Sequence, residues 1–126
     1  MKVSERATQI WSVLALAARN RQILTYTMLE QLTGLARVGL GQSLEPIQSY
    51  CLLRQLPPLT ILVVQEATGI PGAGFSAASP EEYARRQLEV FAHDWLAQGA
   101  PSPEDLASAV EARPSRGPSS PAGAAG

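Results

Sequence analysis

Leu56–Phe75 reads LPPLTILVVQEATGIPGAGF, and the architecture turns on how this stretch folds. Pro57 and Pro58 forbid continuation of a helix from the preceding residues. The run LTILVV that follows has the β-branched content and length of a strand, and its unbroken hydrophobicity predicts burial on both faces. Gly69, Gly72 and Gly74, with Pro71 among them, predict a turn or loop, because glycine reaches positive φ freely. Phe75 is placed to begin a short return strand. A single strand feeding a glycine-rich loop therefore sits inside a chain that otherwise shows helical patterning.

Upstream, Ala7, Ile10, Leu14 and Ala17 recur at spacings of three and four between Ser4 and Asn20, and Trp11, Val13 and Ala18 widen the stripe. Asn20 suits a left-handed helix stop. Ile23 and Leu24 predict a brief strand. Thr25 and Thr27 are both N-cap candidates, and Thr27 with Glu30 has capping-box spacing; Leu29 and Leu32 then face inward and Gly34 closes the helix. A third helix fits Ala36 to Gln55 through Leu40, Leu44, Ile47 and Cys51, with Pro46 predicting a break near Glu45.

Downstream, Ser79, Pro80 and Glu82 stand at N-cap, N1 and N3, and Ala84, Leu88, Phe91 and Trp95 continue a stripe to a stop at Gly99. Ser102, Pro103 and Asp105 repeat the start signal for a short helix to Ala112. From Pro114 onward the Pro, Ser, Gly and Ala content predicts disorder. The fold class is thus mainly α with a small β-sheet. Residues 1–78 form a winged-helix-like core, residues 79–112 form C-terminal helices packing on it, and residues 113–126 form a disordered tail. In the winged-helix architecture the third helix is presented to a DNA groove and the loop between the last two strands is the wing.

The 126 residues are 45% hydrophobic and 17% charged, the balance of a soluble globular protein, with no apolar run long enough to span a bilayer. Glu5, Arg6 and Arg19 bracket the N-terminal apolar stretch, unlike a secretory leader, so a cytoplasmic location is expected. Cys51 is the only cysteine and His93 the only histidine, which argues against a disulfide or a zinc site. The net charge of −1 is unevenly spread. Residues 1–54 carry six cations (Lys2, Arg6, Arg19, Arg21, Arg37, Arg54) against three acids (Glu5, Glu30, Glu45), a net +3. Residues 55–112 carry two arginines against eight acids, a net −6. The basic half can face phosphates; scattered solvated charge accounts equally well for the count.

Three segments, TYTMLEQLTG (25–34), ARVGLGQSL (36–44) and PPLTILVVQEATGIPGAGF (57–75), together resemble the C-terminal winged-helix domain of O6-alkylguanine-DNA alkyltransferases and alkyltransferase-like proteins. The resemblance covers Thr25 to Phe75 and lies in pattern and order, with few identities. It implies that Tyr26 contacts the DNA backbone and that Arg37 lies near the arginine that fills the gap left by a flipped base, although the family arginine stands one residue further upstream of Val-Gly. The family's Pro-Cys-His-Arg signature is missing from the strand, where this chain has LTILVVQ. A transferred alkyl group has no acceptor, so the shared function reduces to DNA binding.

The DNA-binding candidates are Tyr26, Arg37, Arg19, Arg21, Arg54, Gly72 and Gly74. With Lys2 the only lysine, binding is expected to be weak and salt-sensitive. Gly69 and Gly74 have the outer spacing of a nucleotide-binding loop, but Phe75 and Ser76 stand where Lys and Ser/Thr are required. Ser76, Ser79, His93 and Asp94 lack a nucleophile elbow, and Cys51 reads as a small core residue. No enzymatic activity, cofactor, small-molecule substrate or membrane partner is expected. The leading expectation is a DNA-binding protein contacting duplex DNA through its third helix and glycine-rich wing. The alternative is an adaptor docking a protein partner or forming a homodimer, with Trp11 and Trp95 as surface candidates.

Overall fold

A computed structural model describes residues 2–69 and 79–112. The elements run α1 (Val3–Arg19), β1 (Leu24–Thr25), α2 (Tyr26–Thr33), α3 (Arg37–Leu53), a 3₁₀ turn (Leu59–Leu62), β2 (Val63–Val64), α4 (Pro80–Ala92), α5 (Trp95–Gln98) and α6 (Pro103–Ala112). The chain is mainly α with a small two-stranded sheet, and β1 and β2 run parallel with Leu24 opposite Val63 and Thr25 opposite Val64. No helix among the described residues is long and apolar enough to cross a membrane.

Helix α1 supplies the centre of the core, burying Ala7, Ile10, Trp11, Leu14, Ala15, Ala17 and Ala18. Helices α3 and α6 and the short α5 pack around it. Trp11 meets Tyr50 of α3 and Trp95 of α5 edge-to-face, at ring-centroid distances of 5.6 and 5.5 Å. Both tryptophans are almost fully buried, so they belong to the core and are not a partner surface. Val90, Trp95, Leu106 and Ala109 join the same cluster as the α1 and α3 residues.

The ends of α1 and α3 share a form that the sequence hides. Asn20 is not left-handed (φ −88°); Arg21 is, at φ 55°. The Gln22 N–H donates to the Ala17 carbonyl at 2.8 Å and the Arg21 N–H to that of Ala18 at 3.0 Å, which is a Schellman closure with an arginine in the usual glycine position. Helix α3 closes in the same way, with Gln55 at φ 58° and the Leu56 N–H on the Cys51 carbonyl at 2.8 Å. Pro46 lies inside α3 and no break occurs at Glu45. The fixed φ of proline fits a helix, the lost donor leaves only the Gln42 carbonyl without its usual partner, and burial of the ring holds the helix in register.

The run expected as a strand is mostly a turn. Pro58 offers its carbonyl to the Ile61 N–H at 3.0 Å, so Leu59–Leu62 closes as a 3₁₀ turn and only Val63 and Val64 extend. The expected burial holds all the same, for Leu59, Ile61, Leu62, Val63 and Val64 are each buried. Helices on several sides demand apolar residues without regard to alternation. The expected return strand at Phe75 and the tail from 113 lie outside the described residues.

Helix α4 starts as expected, with Ser79 Oγ accepting from the Glu82 N–H at 3.1 Å. It ends at Ala92 instead of Gly99. The Trp95 indole N–H donates to the Val90 carbonyl at 2.8 Å, taking the acceptor that the Asp94 N–H needs for the helix to continue. Asp94 instead caps α5 through Ala97. The face turns accordingly: Leu88 and Ala84 point to solvent, Val90 is buried, and Tyr83 and Phe91 are partly buried against the core. In α6, Ser102 and Asp105 exchange side-chain to backbone bonds at 3.0 and 3.1 Å, a reciprocal capping box.

Helix α2 fully buries one residue, with Tyr26 partly buried against the core. Leu29 is fully buried, whereas Leu32, expected to face inward, is 62% exposed. Leu29→Ala is therefore expected to cost about 2–5 kcal/mol of stability, while Leu32→Ala stays within about 0.5 kcal/mol of the parent. Urea denaturation of the two variants checks this, and equal losses would contradict the observed face.

Candidate nucleic-acid interface

The β1–β2 pairing places the start of α2 beside the segment that leaves β2. Thr25 ends β1 and caps α2, its Oγ1 accepting from the Met28 N–H at 3.0 Å. The expected Thr27–Glu30 capping box does not form, because α2 begins at Tyr26 and Thr27 already lies within the first turn. The Thr27 N–H donates instead to Glu66 Oε2 at 2.6 Å.

Arg37, the first residue of α3, projects into this corner. Its Nη2 lies 3.3 Å from Glu66 Oε1, and its Nη1 lies 3.4 Å from the same oxygen. Nη2 also donates to Thr27 Oγ1 at 3.4 Å, and Nε stands 3.6 Å from Glu30 Oε2. The guanidinium carbon sits 5.1 Å from the Tyr26 ring centroid, within cation–π reach. Tyr26 and Arg37, the two residues carried over from the family resemblance, are thus neighbours. Glu66, Glu30 and Thr27 complete a cluster that the sequence did not reveal.

The electrostatics follow from these contacts. Hydrogen bonds from the Thr27 hydroxyl and backbone N–H, with smaller help from the N–H of Glu66 itself and the Arg37 charge, hold the Glu66 carboxyl down at about 2. Partial burial raises the Tyr26 hydroxyl above its ordinary value, and Arg37 offsets part of that rise. Two carboxylates surround one guanidinium, so the formal charge of the corner is negative.

The other expected contacts are elsewhere. Arg54 follows α3 and stacks over Tyr50 at 5.0 Å. It stands seventeen residues beyond Arg37, about 25 Å along a helix axis. Arg21 lies 5.9 Å from the Phe91 ring, and Arg19 lines a cleft of about 190 Å³ with Phe91, His93 and Asp94. Arg37 and Arg54 therefore stand at opposite ends of α3, and Arg19 and Arg21 meet residues of α4 and the segment after it. Gly72 and Gly74 lie outside the described residues.

Other chemistry finds little support among the described residues. Burial pushes the Cys51 thiol up to about 11, the opposite of what a nucleophile needs. His93 Nε2 is 2.6 Å from Gln98 Oε1, its ring packs on Trp95 at 4.3 Å, and its cleft is lined by no hydroxyl or thiol. No three His, Cys, Asp or Glu side chains among the described residues gather as a metal site requires.

The depressed Glu66 value fixes a pH signature. A carboxyl held below its ordinary 4.5 adds stability that is complete above that value, declines as pH falls towards about 2, and is gone below it. The stability advantage of the wild type over Glu66→Gln should accordingly shrink as pH is lowered across that window, as followed by urea denaturation. A difference independent of pH would contradict the cluster. Comparison with protein-family models, curated proteins and solved structures finds no match for this chain.

Proposed function

We propose that this is a non-enzymatic protein that binds duplex DNA at the corner formed by Tyr26, Thr27 and the start of α3. The observation that carries the reading is the contact between Tyr26 and Arg37 beside the exit of β2. A guanidinium supported on an aromatic face at the first residue of a helix is well placed for phosphate or base contacts, and the adjacent tyrosine hydroxyl adds a donor. The separation of Arg54 from this corner, at the other end of α3, supports a short footprint. The glycine-rich wing with Gly72 and Gly74 stays in the proposal on its sequence alone, since it lies outside the described residues.

A second reading is favoured by a different observation. Leu52 and Leu53, at the end of α3, are 64% and 49% exposed. Leu52 also lines a cleft of about 190 Å³ with Leu56, Pro58 and Arg86. An apolar edge of that kind suits a protein partner or a second copy of the chain.

Fluorescence anisotropy with a short duplex over a salt series tests the first reading. Affinity should fall steeply as salt rises, and Arg37→Ala should weaken binding by about 1–3 kcal/mol, whereas Arg54→Ala should change it far less. Absence of binding at low salt sinks the proposal. A mass that rises with concentration in analytical ultracentrifugation, and returns to monomer in Leu52→Asp, would favour the second reading.

A further inference from the structure

We infer, on the basis of that DNA-binding reading, that Glu66 is an internal competitor for Arg37, occupying the guanidinium positions that a DNA backbone phosphate takes on binding. The nitrogen edge and one face of the guanidinium are engaged, while half of the side chain stays exposed to solvent. Glu66 takes Nη1 and Nη2, Glu30 faces Nε, Thr27 Oγ1 accepts from Nη2, and Tyr26 covers one face. The two terminal nitrogens form the fork with which arginine grips a carboxylate or a phosphate, and one group excludes the other. Glu66 therefore stands where a phosphate would stand.

The two carboxylates are not equivalent. Glu30 belongs to α2 and meets Nε at 3.6 Å, leaving the fork open. Glu66 lies beyond β2 in the turn that the Gly69 N–H closes on the Gln65 carbonyl at 2.8 Å, with Gly69 at φ 71°. Its side chain and that of Arg37 are 40% and 50% exposed, so the pair can part into water without opening the core. Departure of Glu66 also frees the Thr27 N–H and the Thr27 hydroxyl, both of which bond the Glu66 carboxylate. What replaces the carboxylate must be an oxyanion with more than one acceptor, and the phosphodiester meets that requirement.

The test compares duplex affinity by anisotropy at one salt concentration for the wild type, Glu66→Gln and Glu81→Gln, the last neutralising an exposed acid outside the cluster. The amide introduced by Glu66→Gln keeps a carbonyl for the Thr27 N–H, so the fold contact survives, and circular dichroism checks it. Glu66→Gln should bind about two- to fivefold tighter than Glu81→Gln, the range to which loss of an exposed ion pair corresponds. The gain should disappear when Arg37→Ala is added. Should the amide disturb the fold, Glu66→Asp is the second variant: its shorter stem withdraws the carboxylate from the fork at unchanged net charge, and it too should bind tighter. If the wild type binds and neither Glu66 variant exceeds the control, the competition is refuted and DNA binding stands. A gain that persists without Arg37 likewise refutes it. If no variant binds DNA at low salt, both the binding reading and the competition fall.

Discussion

Two residues of parallel pairing set the position of everything at the proposed interface. Leu24 opposite Val63 and Thr25 opposite Val64 define an offset of thirty-nine residues, and the Thr27 N–H meets Glu66 at the same offset. Parallel strands advance together, so the register established inside the core is carried outward to the first turn of α2 and the exit of β2. A sheet of this size has no stability of its own. Burial of Leu24, Val63 and Val64 holds it in place. The same pairing makes Thr25 both the last residue of a strand and the cap of a helix, which fixes the direction in which α2 leaves.

The stabilising interactions and the proposed functional ones are separated in space. Stability comes from the buried interface of α1 with α3, α5 and α6, where Trp11, Leu14, Ile47, Trp95 and Leu106 are almost completely removed from water. The Arg37 cluster lies at the exposed end of α3, where solvent screening leaves each ion pair little weight in folding. Such contacts can be exchanged for others without unfolding the protein. One buried polar atom stands apart: Trp11 Nε1 has no hydrogen-bond partner among the described residues, and its ring is packed edge-to-face between two other aromatic rings.

Local chemistry is the legible part of the sequence. Thr25, Ser79 and Ser102 cap the helices they precede, and Gly34 closes α2 at φ 75°. Periodicity also identifies the buried face of α1, because a long central helix has one continuous set of neighbours. It fails where neighbours change along an element. Helix α4 buries Val90 and exposes Leu88, since Trp95 folds back onto the Val90 carbonyl and resets which side meets the core. The hydrophobicity of LTILVV reports burial correctly and extension incorrectly, because a 3₁₀ turn enclosed by helices needs the same apolar residues as a central strand. Arg21 and Gln55 occupy left-handed positions that composition assigns to glycine or asparagine. The family resemblance singles out Tyr26 and Arg37 but not Glu66, whose place beside them depends on a strand register that no local motif encodes.

The uneven charge of the chain acquires a narrower meaning from this geometry. A net +3 over residues 1–54 suggests a broad basic surface, yet Arg37 and Arg54 are separated by about 25 Å along α3, and the screening length near physiological salt is about 8 Å. Charges that far apart act independently on a phosphate at either end. Arg37 must therefore work locally, and its immediate surroundings are acidic. A surface of that kind does not attract DNA from a distance. On the DNA-binding reading it discriminates at contact, because only an oxyanion that outcompetes the Glu66 carboxylate and takes the Thr27 donors gains the guanidinium. The two glutamates would then exchange affinity for selectivity at Arg37, whose place beside Tyr26 and Glu66 follows from the strand register.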